Sequence, residues 1–79
     1  MRAERSTGNK FVPVESEMLE YVRYDEEARH LDVIFCTGDK YRYLGVPPLE
    51  YLGLMTTKSI GQYMHRRILG DRYKYERLD

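Results

Sequence analysis

The residues best equipped for chemistry cluster near the C-terminus: Arg66, Arg67, Arg72 and Lys74, interleaved with Tyr73 and Tyr75. Guanidinium and ammonium groups neutralise phosphates, and aromatic rings stack on unpaired bases at about 1–3 kcal/mol per base. This constellation predicts RNA binding, to transfer RNA or a single strand, with Arg77, Lys40 and Arg42 adding charge. The same residues also have a structural use, in which Tyr73 and Tyr75 dock the tail onto the domain and the arginines stay solvated. Catalysis has less to rest on. His30 and His65 have no neighbour at metal-ligand spacing. Cys36 ends an apolar run, as an inert thiol does, and Ser59 reads as a helix cap. Asp25 and Asp39 fall in turn sequences, where aspartate bonds its own backbone. The glycines are scattered and form no phosphate loop. The expectation is a non-catalytic binding module without metal or cofactor.

A second class of function rests on the segment PLEYLGLMT. Its apolar residues spread over a wider arc than a two-layer domain can bury. Tyr51, Leu54 and Met55 are predicted to face a sheet. Leu49 and Leu52 point elsewhere and predict an exposed patch for another protein or a second copy of the chain.

These residues must be positioned by very little protein. Seventy-nine residues make one domain, and eight tyrosines and two phenylalanines are its largest core fillers. The single Cys36 cannot form an internal disulfide. No apolar run approaches the roughly 20 residues of a membrane helix. The first ten residues are charged with no apolar stretch behind them, so a cytoplasmic protein with no membrane partner is expected. Thirteen basic and thirteen acidic residues cancel, but unevenly: residues 15–32 carry two basic and seven acidic side chains, and residues 58–79 carry six and three. The basic C-terminal stretch is where an anionic partner would dock.

The pattern along the chain predicts a flexible tail over 1–12, a domain over 13–75 and a short tail over 76–79. An edge strand over Val14 to Tyr24 is expected to bulge, because Leu19 and Val22 are three apart rather than two or four. LDVIFC and KYRYL, joined by the tight turn TGDK, complete a three-stranded antiparallel meander. Pro47 and Pro48 start a helix that ends near Met55 or Thr56. Ser59 and Gln62 form a capping box for a second helix, with Ile60, Met64 and Ile68 on one arc, stopped by Gly70-Asp71. The predicted class is α+β, in the order β-β-β-α-α, with both helices on one face. Tyr41 and Tyr43 share a face with that core, because the other face of their strand would bury Lys40 and Arg42.

In sequence order, Val14, Ser16, Leu19, Val22, Tyr24-Asp25, Leu31, Val33, Phe35, Gly38, Tyr41-Arg42-Tyr43, Val46-Pro47, Tyr51, Leu54, Ser59, Gly61, Tyr63 and Ile68 resemble the KTSC domain family. The family is a short module found alone in bacterial and phage proteins and at the C-terminus of some lysyl-tRNA synthetases. The resemblance spans roughly residues 14–75. It implies no activity, and RNA binding is the role suggested for it. Arg23, where a small residue is expected, Met64 in place of an aromatic, and Thr57 in place of a small apolar residue depart from the pattern.

Overall fold

Alternating β-branched and aromatic positions generate most of the sheet, and a computed structural model describes residues 10–78 of the chain. The strands are β1 (Val12–Pro13), β2 (Leu19–Asp25), β3 (His30–Phe35), β4 (Lys40–Leu44) and β5 (Tyr75–Arg77). Between β4 and β5 come α1 (Pro48–Thr56), α2 (Ile60–Tyr63) and a π-helical segment (Met64–Ile68) that continues α2. The sheet is antiparallel throughout, in the order β1-β2-β3-β4-β5. The class is therefore α+β, but the sheet has five strands rather than the three expected. Val12, assigned to a tail from sequence, belongs to β1, and Glu76 and Arg77 lie within β5. Residues 1–9 of the expected N-terminal tail, and Asp79, lie outside the described residues.

Both added strands lack an apolar run, for physical reasons. Pro13 has no amide donor and is tolerated in β1 because β1 is an edge. β5 pairs through its backbone: Leu44 N donates to Lys74 O at 2.8 Å and Leu78 N to Lys40 O at 2.9 Å. The bulge expected in β2 is present, with the register shifting between Leu19 and Tyr21, so Leu19 and Val22 both enter the core. The β2–β3 turn closes on Asp25, whose Oδ1 accepts from the amides of Glu27 and Ala28 at 3.1 and 3.2 Å. Gly38, at φ 99°, supplies the left-handed step of the β3–β4 hairpin.

The core gathers Leu19, Val22, Leu31, Val33, Tyr43, Val46, Leu54, Met64 and Ile68 beneath the helices. Tyr24 fastens α1 to the sheet. Its ring stacks on Tyr51 at 4.7 Å between centroids, and its hydroxyl donates to Val46 O at 2.6 Å. Ser59 caps α2, its Oγ accepting from Gln62 N at 3.3 Å, but the capping box is not completed: Ser59 N donates to Thr57 Oγ1 at 3.3 Å rather than to Gln62. The uninterrupted second helix expected to Gly70 is not found. After Tyr63 the chain widens into π geometry, closed by Leu69 N donating to Met64 O at 2.8 Å. Met64 and Ile68 stay buried through this widening, and Gly70 at φ 83° turns the chain away.

The outer face of the sheet carries a charge ladder. Asp32 is buried between Arg23 and Arg42 on the flanking strands. Asp32 Oδ2 accepts from Arg23 Nε and Nη2 at 3.0 and 2.7 Å, and Oδ1 accepts from Arg42 Nε at 2.9 Å. The Arg23 guanidinium also lies 4.1 Å from the centre of the Phe11 ring. Arg42, expected to add charge to a nucleic-acid surface, is engaged within the sheet.

Gly53 explains how the two helices approach. A Cβ there would overlap the Tyr63 hydroxyl and lie 2.8 Å from Tyr63 Cζ. Alanine favours an exposed helix over glycine by about 1 kcal/mol. Gly53→Ala nevertheless displaces the Tyr63 ring and is expected to lower stability by about 1–3 kcal/mol in urea unfolding. A gain in stability from that substitution would show that the helices are not packed this closely.

Candidate functional site

The structure divides the six residues grouped from sequence for RNA. Arg67 and Tyr73 converge on Glu50, a carboxylate of α1 that the sequence reading passed over. Glu50 Oε1 accepts from the Tyr63 hydroxyl at 2.7 Å and Arg67 Nε at 3.2 Å, and Oε2 accepts from the Tyr73 hydroxyl at 2.8 Å. Burial opposes the charge on Glu50, but the Tyr63 and Tyr73 hydrogen bonds and the Arg67 guanidinium outweigh it and hold the carboxyl below its usual range. Burial and the bond to Glu50 push the Tyr73 phenol up to about 12. The signal for this cluster was available: Glu50 is the one charged residue in the helix PLEYLGLMT.

Tyr75 belongs elsewhere, packing on Tyr41 and Tyr43 with ring centres 5.6 and 5.7 Å away. Arg66, Arg72 and Lys74 are exposed. Leu49 and Leu52 are exposed as well, at 79% and 56%, while Leu54 is buried.

The inner face of the sheet is only partly covered. Leu31, Val33 and Tyr43 are buried, whereas Phe35 and Tyr41, toward the β3–β4 hairpin, are half-buried and Tyr75, on β5, is 57% exposed. Tyr41 and Tyr43 face inward as predicted, yet Tyr41 also forms part of a wall. Between that wall, the start of α2 and the loop after the π segment lies a cleft of about 1080 Å³. Phe35 meets Tyr41 edge-on at 5.7 Å, and Tyr41 lies 6.5 Å from Tyr43, so the aromatic surface is continuous. Burial, aided by the neighbouring phenols of Tyr41 and Tyr75, pushes Tyr43 up to about 12.

The cleft's polar margin is mostly acidic. Glu15, Glu17, Asp39 and Asp71 line it, together with Lys58 and His65. At one edge Arg77 Nη2 bonds Asp39 Oδ1 at 2.6 Å, and the Arg77 guanidinium lies 5.8 Å from the Tyr41 ring centre. Among the described residues, no three His, Cys, Asp or Glu side chains are grouped so as to hold a metal ion. No helix among them is long and apolar enough to cross a membrane.

The KTSC domain family model matches residues 15–75, most of the chain and both walls of the cleft. The chain belongs to the KTSC domain family. An uncharacterised protein of Stutzerimonas stutzeri (strain A1501) is 34% identical over 70 residues, covering 89% of this KTSC chain and 99% of the relative. A crystal structure of a KTSC domain protein from Yersinia pestis superposes with a TM-score of 0.83 at 24% identity, covering 89% of this chain and 97% of that one. That likeness extends to the fold. Within the matched residues, Tyr41-Arg42-Tyr43 lies on the strand that backs the cleft with its tyrosines and braces Asp32 with its arginine.

The shifted groups set a pH window for stability. Asp32 is also held below the usual carboxylate range: burial opposes its charge, and the Arg42 and Arg23 hydrogen bonds outweigh that opposition. Groups with lowered folded pKa stabilise above the unfolded value of about 4 and lose that contribution as pH falls through the folded one. Tyr43 and Tyr73 act in the opposite direction, stabilising fully below the unfolded phenol value of about 10 and losing it as pH rises toward about 12. Urea midpoints are expected to hold from about pH 5 to 9 and to fall on both sides. Glu50→Gln lowers the plateau and makes the acid-side fall shallower; an acid limb unchanged in that variant would mean that Glu50 is not held ionised in the fold.

Proposed function

We propose that this chain is a non-catalytic binding module whose cleft receives an extended segment of another polypeptide. The observation that carries this reading is the partly covered end of the inner sheet face, where Phe35, Tyr41 and Tyr75 wall a cleft of about 1080 Å³. Concavity, continuous aromatic surface and a polar margin are the usual parts of a recognition site. Tyrosine supplies large rigid contact area with only two rotatable side-chain angles, so ordering it on binding costs little. The acidic margin favours a polypeptide over a phosphate backbone, which would face Glu15, Glu17, Asp39 and Asp71.

RNA binding is the second reading, supported by the exposed cations Arg66, Arg72 and Lys74. It loses the interleaving that suggested it, because Tyr73 and Arg67 are bonded to Glu50 and Tyr75 faces the cleft. A self-association reading rests on Leu49 and Leu52, a pair too small to match the aromatic wall.

Panning a random peptide library against the chain, then titrating the selected peptides while following amide chemical shifts, tests the proposal. Shifts are expected at 35–41, 58–65, 69–71 and 75, with affinity lost at least tenfold in Tyr41→Ala and kept in Arg66→Ala/Arg72→Ala/Lys74→Ala. Failure to select any cleft-binding peptide, together with single-stranded RNA shifting residues 66, 72 and 74 with a log–log salt slope near roughly −2, would replace it with the RNA reading.

A further inference from the structure

We infer that the segment bound in the cleft presents a lysine or arginine side chain to the aromatic wall. This specificity rests on the polypeptide reading above and narrows it to a basic partner. The first observation is the charge of the margin. With Asp39 already paired to Arg77, the carboxylates of Glu15, Glu17 and Asp71 still line the cleft, against Lys58 and His65 among the described residues. An incoming acidic or phosphorylated segment meets like charge there; a basic one is drawn in.

The second observation is independent of charge counting. The chain's own Arg77 already shows how this wall treats a cation: its guanidinium lies 5.8 Å from the Tyr41 ring centre with a carboxylate, Asp39, 2.6 Å from Nη2. Ring face plus carboxylate is the arrangement that holds a desolvated cation. The wall continues from Tyr41 to Tyr43 and Tyr75 on one side and Phe35 on the other, offering ring surface deeper than the position of Arg77. Glu17 and Asp71, which also line the cleft, supply further carboxylates for a second cation. A long, flexible basic side chain fits such a site because its methylenes lie along the rings while its head reaches the acids.

Four pentapeptides test this: acetyl-Gly-Tyr-Xaa-Leu-Gly-amide with Xaa arginine, lysine, citrulline or glutamate. Citrulline keeps the shape of arginine and removes its charge. Titrated at 25 mM NaCl by amide shifts, the arginine and lysine peptides are expected to bind at the cleft at least tenfold more tightly than citrulline, and glutamate more weakly still. The preference is expected to shrink at 300 mM NaCl. Glu15→Lys/Glu17→Lys/Asp71→Lys changes only exposed side chains, and its amide spectrum checks its fold; it is expected to reverse the order of arginine and glutamate. Cleft binding with citrulline equal to arginine overturns the cationic specificity while leaving the polypeptide reading standing. No cleft shifts with any of the four, or shifts at the same residues with a single-stranded oligouridylate, overturn both.

Discussion

The arrangement of this domain turns on one buried carboxylate. An ionised group withdrawn from water costs several kcal/mol unless its oxygens are fully bonded. Glu50, on a helix that is otherwise apolar, satisfies that requirement with donors from three later segments: Tyr63 of α2, Arg67 of the π segment and Tyr73 on the approach to β5. The three donors reach it across 13 to 23 residues of chain. One atom group therefore sets the separation of the helices and the point at which the chain re-enters the sheet. β5 follows two residues after Tyr73, so the position of Tyr75 on the cleft wall and of Arg77 beside Asp39 is inherited from Glu50.

Asp32 imposes a comparable constraint on the other face. Its two arginines come from the strands on either side, and a slip of one residue in either register would turn them to the opposite face. This gives Arg23 a structural role. The side chain is absorbed by a bidentate grip on Asp32 and by the Phe11 ring of the segment leading into β1. In a domain whose stability is on the order of 5–15 kcal/mol, two such groups bonded incompletely would leave little margin. Both are bonded; among the described residues, no buried side-chain nitrogen or oxygen lacks a partner.

What the sequence made legible follows from locality. The alternation in LDVIFC and KYRYL, the bulge between Leu19 and Tyr21, the glycine of the hairpin, the proline start of α1 and the Ser59 cap are all decided within a few residues. The two edge strands escaped notice because their order comes from pairing with β2 and β4 rather than from any apolar run of their own. The π segment escaped for a related reason: Met64-His65-Arg66-Arg67-Ile68 has a helical pattern, and the wider turn is chosen by what Met64, Arg67 and Ile68 must each reach. The Glu50 cluster is a meeting of residues distant in sequence. Its one local trace was an acid in an apolar helix; Tyr73 was legible as a residue docking the tail onto the domain, but not the carboxylate it docks on.

The cleft arises from a mismatch of areas. Two short helices cannot cover the inner face of five strands, and the uncovered remainder must be tolerable to water. An aliphatic remainder would be a sticky patch with no directional preference. Tyrosine resolves the conflict because its ring packs while its hydroxyl stays wet. Asking whether Tyr41 and Tyr43 lie inside or outside therefore has a graded answer. Tyr43, opposite Leu31, is 4% exposed and belongs to the core; Tyr41, one step toward the hairpin opposite Val33, belongs to both core and cleft; Tyr75, beside Tyr43 on the last strand, belongs mostly to the cleft. The residues that hold the domain together at one end are continuous with those that line its cleft at the other. A substitution at Tyr41 consequently acts on both, whereas one at Tyr75 separates them.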